Sequence, residues 1–466
     1  MRSTTKIISI LVIGVFLFMG CKNGNDRTTK ETSNIDKEFL NDLKYRTFKF
    51  FWNLADTITW QTPDRYPAEN FTSVAATGFG LTSYIVGISN NYITREEGTK
   101  RVLATLKWLK NSKQGSEISG ITGYKGFYYH FLTYNQGIRY QNVELSTIDT
   151  GWLITGILAC QTFFDADNEQ EQEIRDIADF LYKRVEWDWA MNGNEVMTMG
   201  WHPESGFINA KYSGYSEAMM LVILGLASPT HPIADSTWSA WCNTYIWKNF
   251  YGYEYVNFEP LFGHQYSHMY IDFRGIQDDF MRAKGIDYFE NSRRATLANR
   301  NYCIENPQNY NAYSDSIWGL TACDGPADTA MIINDQKVQF FSYRARGTSV
   351  RYIEDDGTIA PTAAGGSIPF APTECIGALS AMKNTYGENV YGEYGFKDAF
   401  NPTFISPKTP NGWFDQDYLG IDQGPILIQL ENYQTELIWN LMKKNKYIVT
   451  GLKKAGFKGG WLDSAE

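Results

Sequence analysis

Six segments of the chain share one pattern of polar and apolar positions. In each, a polar or acidic loop, often aromatic, leads into a run rich in Gly, Ala and bulky aliphatic residues. Each run is apolar on nearly every side, which predicts a helix buried on all faces. These segments begin at Thr77, Asp149, Ser216, Ser314, Pro372 and Asp422.

Amphipathic segments with charged outer faces alternate with these apolar runs. They begin at Thr94, Glu169, Ala234 and Tyr288. Strand patterns are few and short, as in "VQFFSYRA" from Val338. The alternation predicts an all-α toroid of helical hairpins, with six inner helices ringed by outer ones. Such a toroid gathers the first residues of its inner helices at one mouth, where a cleft can hold a polymer.

The first 21 residues have the composition of a secretory signal. Arg2 and Lys6 precede the apolar stretch "IISILVIGVFLFMG", which is too short for a comfortable membrane span. Gly20 before Cys21 resembles the bacterial lipoprotein signal, which predicts a lipid on Cys21, although Phe18 stands where leucine is usual. Residues 22–35 are polar and predict a flexible tether. Residues 36–466 then form one large domain, since no Pro/Gly/Ser-rich linker divides them.

Charge and cysteine content narrow the possible partners. The chain has 42 Lys plus Arg against 52 Asp plus Glu, a net charge of −10, which makes a nucleic-acid partner unlikely to bind. Aromatic residues make up 15% of the chain, which fits either a large core or platforms that stack on sugar rings. Without Cys21, five cysteines remain with no close pairs, so we expect neither a disulfide framework nor a zinc site.

A cleft that holds a polymer can also carry acid and base groups that cleave it. Glycoside hydrolysis, for example, needs one protonated carboxyl and one ionised carboxylate. Glu217 follows Ser216, a possible cap, so it could be a first-turn acid whose pKa the helix dipole lowers. Glu217 could act as a proton donor only if desolvation or a second carboxylate nearby raised its pKa. Asp149 stands three residues after Ser146 in a capping-box variant, which favours a structural role. Glu144 is a loop acid with no evident cap to make.

Three acids crowd the segment "WFDQDYLGIDQGPI". Pro425 suits the first position of a helix, which makes Gly424 the cap and leaves Asp422 outside the helix without a local task. Asp415 and Asp417 belong to the loop before it. The spacing of the three misses the calcium loop of an EF-hand, so we expect no metal there.

His264 and His268 have the H-x₃-H spacing of some zinc sites, but no glutamate follows His264. Two interpretations stay open for this pair. The histidines could bind substrate together with Asp272 and Arg274, or they could be satisfied core histidines.

Several longer motifs together resemble one family. They are "PDRY" from Pro63, "SVAATGFGL", "ELSTIDT", "SGYSEAMM", "SPTHP", "GHQYSHMYIDFRG", "GLTACDGP" and "GIDQGPILIQLENY". In combination they resemble the glucoamylase-like domain of glycoside hydrolase family 144. The resemblance runs from about Asp36 to Lys454. It implies an (α/α)6 barrel that cleaves β-1,2-glucan, either as an inverting endo-glucanase or as an exo-enzyme that releases sophorose.

The resemblance also implies roles for single residues. Glu217 becomes the candidate general acid, Asp422 the candidate base and Asp149 an essential carboxylate of the same cleft. In a related family the proton passes through a substrate hydroxyl, so the two carboxylates need not have the usual inverting separation. We expect substrate contacts from Arg65, Glu144, Trp201, His202, Tyr215, His264, His268, Asp272, Arg274, Trp413 and Asp417. Tyr418 is a further possible sugar platform. We expect no cofactor.

Family members are typically exported, and many are lipoproteins, so we expect a lipid-anchored enzyme of the cell envelope whose only membrane contact is the lipid. Two other functions stay open at this point. One is a non-catalytic glycan-binding lipoprotein, and the other is a polysaccharide lyase on the same toroid.

Overall fold

The computed structural model describes residues 34–68, 71–333 and 336–465, with the side chains of residues 34, 35 and 336 left aside. The signal, Cys21 and nearly all of the expected tether lie outside these residues. The described chain is mainly helical, about 46% helix and 16% strand. Its α-helices are α1 (Asn34–Leu54), α2 (Val74–Ser89), α3 (Arg95–Asn111), α4 (Thr147–Phe163), α5 (Glu169–Lys183), α6 (Trp187–Ala190), α7 (Met219–Ala227), α8 (Ser236–Cys242), α9 (Asp279–Lys284), α10 (Tyr288–Glu305), α11 (Pro361–Gly365), α12 (Pro372–Tyr386), α13 (Gly420–Thr435), α14 (Leu437–Met442) and α15 (Lys446–Lys454).

The strands are short, antiparallel and more numerous than the sequence pattern predicts. They are β1 (Arg65–Tyr66), β2 (Phe71–Ser73), β3 (Gly123–Tyr124), β4 (Phe127–Tyr129), β5 (Phe131–Thr133), β6 (Leu145–Ser146), β7 (Gly200–His202), β8 (Gly206–Phe207), β9 (Trp247–Phe250), β10 (Tyr253–Val256), β11 (Ala322–Asp324), β12 (Thr329–Ile333), β13 (Gln336–Phe340), β14 (Tyr343–Ala345), β15 (Gly347–Thr348), β16 (Ile353–Glu354), β17 (Tyr391–Gly392), β18 (Gly395–Phe396), β19 (Phe400–Asn401), β20 (Trp413–Phe414) and β21 (Tyr418–Leu419). The largest sheet has the order β3-β4-β6-β7-β8, and the other strands form pairs.

Four of the six expected buried helices are present and buried nearly all round, namely α2, α4, α7 and α13. Helices α2, α4 and α13 run in the same direction. Trp152 and Cys160 of α4 lie beside Gly78 and Leu81 of α2, and Gly424 and Glu431 of α13 lie beside Phe79 and Asn90 at the two ends of α2. A Cβ atom on Gly156 of α4 would lie 2.1 Å from the carbonyl oxygen of Gly78 in α2, and one on Gly424 of α13 would lie 2.4 Å from the Phe79 ring. Small residues therefore set the distance between these helices.

The expected helix at Ser314 is wrong, because this segment is irregular up to the strand at Ala322. The side chain of Asn299 accepts a hydrogen bond from the Leu320 N–H at 3.1 Å and donates to the Leu320 carbonyl at 3.0 Å. One side chain thus satisfies backbone groups that a helix would have paired. Trp318 and Leu320 are still fully buried, which explains the apolar pattern.

Two other expectations need correction. Helix α12 begins at Pro372 as expected, but it buries one face instead of all sides. The amphipathic segment from Ala234 forms only the seven-residue helix α8 before the hairpin of β9 and β10. The amphipathic helices α3, α5 and α10 are present as expected.

The five cysteines of the described chain are all unpaired, and four of them are buried. Within the same residues, no helix combines the length and the apolar content that a membrane crossing requires.

Candidate active site

The candidate carboxylates lie near the first residues of helices α4, α7 and α13. Strand β21, which leads into α13, pairs with β1, with Arg65 opposite Leu419. Strand β6, which leads into α4, pairs with β7. These short ladders bring loop residues from distant parts of the sequence to one end of the helices.

Helix α13 begins at Gly420, so Asp422 lies inside its first turn, and the expectation that Asp422 stands outside the helix is wrong. Pro425 lies within the helix and cannot donate a hydrogen bond to the Ile421 carbonyl. The hydroxyl of Tyr266 donates to that carbonyl instead, at 2.9 Å. The chain enters the helix early because the Gly420 N–H donates to the Asp64 carbonyl at 2.7 Å.

Asp422 is 4% exposed, and its carboxyl forms a side-chain hydrogen bond with the carboxyl of Asp398, which is 1% exposed. Burial raises the pKa of Asp422 to about 7. The bond from Asp398 opposes this rise, and the charges of Asp324, Asp64 and Asp415 add to it. Burial, together with the charges of Asp422 and Asp324, raises the pKa of Asp398 well above its ordinary value. The pair therefore holds a proton at neutral pH.

Arg65 neutralises the acids around this pair. Its guanidinium donates to Asp324 at 2.6 Å and to Asp64 at 3.1 Å, and it lies 3.5 Å from Asp417. One oxygen from each of Asp324, Asp398 and Asp415 lies within 4.8 Å of the others, a spacing that a cation could bridge. Protonation of the Asp398 and Asp422 pair and the Arg65 charge account for this arrangement, so we assign no metal to it.

A second group of charges surrounds His130, which lies between β4 and β5. Its Nδ1 atom lies 2.8 Å from Glu144, and its Nε2 atom lies 3.6 Å from Asp149. Burial by itself would lower the pKa of His130. The charges of Asp149 and Glu144 and the bond to Glu144 outweigh burial and raise the pKa to about 9. His130 is therefore an imidazolium that links the two carboxylates at neutral pH.

Asp149 combines the expected capping geometry with a place in this group. Ser146 is the N-cap of α4 and accepts a hydrogen bond from the Asp149 N–H at 3.2 Å. The Ser146 hydroxyl donates to the Asp149 carboxylate at 2.5 Å. Burial raises the pKa of Asp149, while His130 and Ser146 lower it.

Glu217 precedes its helix, because α7 begins at Met219 and Ser216 accepts a hydrogen bond from Ala218. Glu217 is therefore not the first-turn acid that we expected. Burial raises the pKa of Glu217 to about 7, opposed by a hydrogen bond from its own backbone and helped by the Asp149 charge. The side chain is partly exposed, so it can meet a ligand.

Tyr266 connects the two sides of the site. Burial raises the pKa of its hydroxyl well above the ordinary value, and the charges of Asp422, Tyr343, Glu217 and Asp149 add to the rise. The Tyr266 ring packs edge-on against Trp152 and Phe79, with centroid distances of 5.6 and 5.8 Å. It therefore lies within reach of the charges of both candidate carboxyls.

Five of the expected substrate contacts lie close to these groups. Trp201 and His202 belong to β7 beside β6, and Trp201 is partly exposed against the Tyr124 ring at 5.2 Å. Arg65 contacts the surrounding acids, and Glu144 is hydrogen-bonded to His130, as described above. Asp417 lies beside Arg65, in the loop between the partly exposed Trp413 on β20 and the buried Tyr418 on β21.

Tyr215, His264 and His268 are instead core residues. The Tyr215 ring lies 4.8 Å from that of His264, and the two histidines are each 1% exposed. Burial lowers the pKa of both histidines to about 3, so they are neutral. This geometry favours the core interpretation that the sequence left open.

Asp272 and Arg274 lie at the other end of α13, which corrects the expectation that they share the cleft. Arg274 binds Asp272 through two donors at 2.7 and 2.8 Å and contacts Glu436 at 2.8 Å. Glu436 directly follows the last residue of α13, whereas Asp422 lies in its first turn. Fourteen residues at 1.5 Å each separate the two ends by about 20 Å.

Sequence reasoning missed His130, Asp64, Asp324, Asp398 and Tyr266. His130 and Asp398 stand in "FYYHF" and "FKDAF", which carry no cap, spacing or motif that marks a site. Asp64, Asp324 and Tyr266 lie inside the longer motifs and could have been added from them. The missed residues come from separate loops, so only their positions in three dimensions group them.

Comparison with known proteins gives a consistent result. The family model named Glycoamylase matches residues 209–446, just over half of the chain. The match includes Glu217, Asp398 and Asp422 and begins after Asp149.

Three relatives illustrate the similarity. An exo β-1,2-glucooligosaccharide sophorohydrolase of Parabacteroides distasonis is 28% identical over 451 residues, which cover 90% of this chain and 58% of the relative. An endo-β-1,2-glucanase from Chitinophaga pinensis, solved with sophorotriose and glucose, is 30% identical with a TM-score of 0.78, covering 91% of this chain and 99% of that one. A β-1,2-glucanase structure from Parabacteroides distasonis is 26% identical with a TM-score of 0.78, covering 90% and 60%. The chain thus spans less than two thirds of the length of the two Parabacteroides relatives.

Proposed function

We propose, from the premise that this chain belongs to the Glycoamylase family, that it is a glycoside hydrolase that cleaves β-1,2-glucan or its oligosaccharides. The family membership confirms the resemblance that the sequence motifs indicated. The observation that carries the proposal is the pair of carboxyls, Glu217 and Asp422, each with a pKa of about 7 in one mouth of parallel helices. Relatives that act on β-1,2-glucan supply the substrate class.

The mechanism follows from the two protonation states. Protonated Glu217 donates its proton to the leaving glycosidic oxygen as the bond from that oxygen to the anomeric carbon breaks. A water molecule attacks that carbon, and ionised Asp422 receives a proton from the attacking water, directly or through a substrate hydroxyl. The atoms balance as one water consumed and two sugar chains released. Inversion at the anomeric carbon is the expected outcome.

His130 and Asp149 support the acid in this scheme. The His130 imidazolium favours the charged form of Asp149 beside Glu217, and negative charge on Asp149 raises the pKa of Glu217. Arg65, Trp201, His202 and Asp417 remain the proposed contacts to sugar hydroxyls and ring faces.

The finer architecture is also part of the proposal. We infer an (α/α)6 barrel in which α2, α4, α7 and α13 belong to the inner ring. Support comes from their burial on nearly all sides, from the parallel direction of α2, α4 and α13, and from the similarity to glucanase structures.

Incubation of the purified protein with linear β-1,2-glucan, followed by chromatography of the products, tests the activity. We expect cleavage of this substrate. Sophorose as the sole early product would indicate exo action, and a ladder of sizes would indicate endo action. Absence of cleavage together with clear activity on α-1,4-glucan would overturn the proposal.

Glu217→Gln and Asp422→Asn test the roles of the two carboxyls. General acid–base catalysis contributes about 10²–10⁴-fold, so each variant should lose that much of kcat while still binding β-1,2-gluco-oligosaccharide. Asp278→Asn is a matched control, because Asp278 is 1% exposed and caps α9 away from the site. If the wild type shows no activity and Glu217→Gln binds the oligosaccharide as the wild type does, the protein is a glycan-binding protein instead. Should Asp422→Asn stay active, Asp417 is the next candidate for the base.

We also propose that the protein is a lipoprotein of the cell envelope, anchored through Cys21. The sequence before residue 22 supports this proposal. Labelling of cells with a radioactive fatty acid should mark the wild-type protein and leave Cys21→Ala unmarked, and equal labelling of the two would contradict the anchor.

A further inference from the structure

The connection between β18 and β19 places Asp398 against the candidate base. The Asp398 N–H donates to the Asp417 carbonyl at 3.0 Å, and its Oδ2 atom accepts a hydrogen bond from the Asp324 N–H at 2.8 Å. These backbone contacts fix the carboxyl from both sides. The carboxyl is 1% exposed and therefore shielded from bulk solvent.

The two carboxyls use each other as partners. Oδ1 of Asp398 and Oδ2 of Asp422 are buried and have no N–H or ordinary O–H donor within the described part of the chain. The two side chains are hydrogen-bonded to each other. Two buried carboxylates in contact cannot both carry a charge at low cost, so a proton is held between them. Oδ1 of Asp422 accepts no hydrogen bond from any described residue, which leaves it free for a ligand.

We propose that Asp398 is a positioning residue that keeps this proton and through it donates a hydrogen bond to Asp422, which favours the ionised base and directs its free oxygen toward the water or substrate hydroxyl that gives up a proton. This inference rests on the proposed function for the role of Asp422 as a base. The proton on Asp398 is not consumed in the reaction. Asp422 takes up the proton that is released when water attacks, and it returns this proton to solvent after the products leave.

The surroundings decide which member of the pair keeps the proton. Asp422 lies in the first turn of α13, where the positive end of the helix favours a charged carboxylate, and it is 4% exposed against 1% for Asp398. Burial and neighbouring negative charges raise the pKa of both carboxyls, which leaves Asp398 as the member that keeps the proton. Arg65 is paired with Asp324 and Asp64, and the negative charges of these two acids offset the effect of Arg65 on the Asp398 and Asp422 pair. The titratable and charged groups that face the pair are Asp64, Arg65, Asp324, Asp415, Cys323, Tyr343 and Tyr266.

The kinetic test compares Asp398→Asn with Asp398→Ala. An Asn side chain keeps a donor toward Asp422, so we expect Asp398→Asn to retain at least about a tenth of the wild-type kcat, with the acidic limb of kcat/KM unmoved. Asp398→Ala removes the donor, so the pKa of Asp422 should rise and the acidic limb should move up by about one pH unit, a tenfold loss at pH 6. Asp278→Asn, equally buried, should leave the limb in place. An Asp398→Asn variant as inactive as Asp422→Asn, or an unmoved limb in Asp398→Ala, would overturn the proposal.

A stability measurement tests the same proton without substrate. A native pKa raised above the unfolded value means that the native state binds more protons, so stability falls as pH rises from about 4. The Asn side chain of Asp398→Asn cannot titrate, so the Tm of this variant minus the Tm of the wild type should increase between pH 5 and pH 8. A constant difference in Tm would overturn the proton assignment. Should the wild type fail to cleave β-1,2-glucan, the proposed function fails while this measurement still decides the protonation of Asp398.

Discussion

Burial and nearby charge together determine the protonation states of the single residues that matter most. In the first turn of a helix, Glu217 would favour its charged form. In the structure it lies before the helix and close to the charge of Asp149. Its pKa therefore rises to about 7. His130 shifts in the opposite sense to burial because two carboxylates flank it. Neither result follows from residue type, because the neighbours that cause each shift are distant in sequence.

The pH dependence of kcat/KM on β-1,2-glucan should be a narrow bell centred near pH 7. Glu217 must be protonated and Asp422 ionised, and each has a pKa of about 7. Activity should fall about tenfold per pH unit on both sides. A substrate with a fluoride leaving group needs no proton donor and should lose the alkaline limb. An alkaline limb that stays flat to pH 9 on the glucan would contradict the role of Glu217.

His130 should make the stability depend on pH in a defined range. Its native pKa of about 9 exceeds the unfolded value of about 6.5, so its contribution is complete below pH 6.5 and is lost as pH rises through 9. His130→Gln should lower Tm at pH 6 and lose less Tm than the wild type between pH 7 and pH 10. His231→Gln, at a surface pair with Asp188, is the control and should follow the wild type. Parallel curves for His130→Gln and the wild type would refute the assignment.

Helix α13 shows how a single element is completed by its neighbours. Its apolar pattern predicts a buried helix, and Pro425 predicts a start near that residue. The structure starts the helix five residues earlier, because β21 pairs with β1 and Tyr266 supplies the donor that Pro425 lacks. Local propensity thus gave way to a tertiary hydrogen bond.

Tyr266→Phe should destabilise the protein by about 1–3 kcal/mol, the cost of a buried carbonyl without a donor. Pro425→Ala restores a backbone N–H toward Ile421, so the double variant should recover part of that loss. Urea unfolding of the two single variants and the double variant measures the coupling between the two positions. Strict additivity of their effects would show that the Ile421 carbonyl is not the shared partner.

At the scale of the whole molecule, close contacts between parallel helices fix where the helix starts meet. Gly78 and Gly156 let α2 and α4 approach until backbone atoms touch. This approach, together with the short strand ladders, places Asp149, Glu217 and Asp422 in one mouth. The placement of the site therefore depends on small residues that carry no chemistry.

Gly156→Ala should cost at least the roughly 1–3 kcal/mol typical of overpacking, because its Cβ would lie 2.1 Å from the Gly78 carbonyl oxygen. Gly377→Ala is the matched control, since this helical glycine in α12 has no atom within 4 Å of the added Cβ. The control should gain about 0.5–1 kcal/mol from better helix propensity. Equal free energies of unfolding for the two variants would contradict the tight packing of α2 and α4.

The sequence by itself determined four of the six helices expected to be apolar all round, three of the four amphipathic helices and the family, because these depend on local pattern and on long motifs. It also indicated Glu217, Asp149 and Asp422 as candidates. Only the tertiary structure decided that Asp398 and His130 join them, that His264 and His268 belong to the core, and that Asp272 and Arg274 lie at the far end of α13. The physical reason is that burial and charge at these positions come from loops far apart in the chain, and no local pattern records which loops meet.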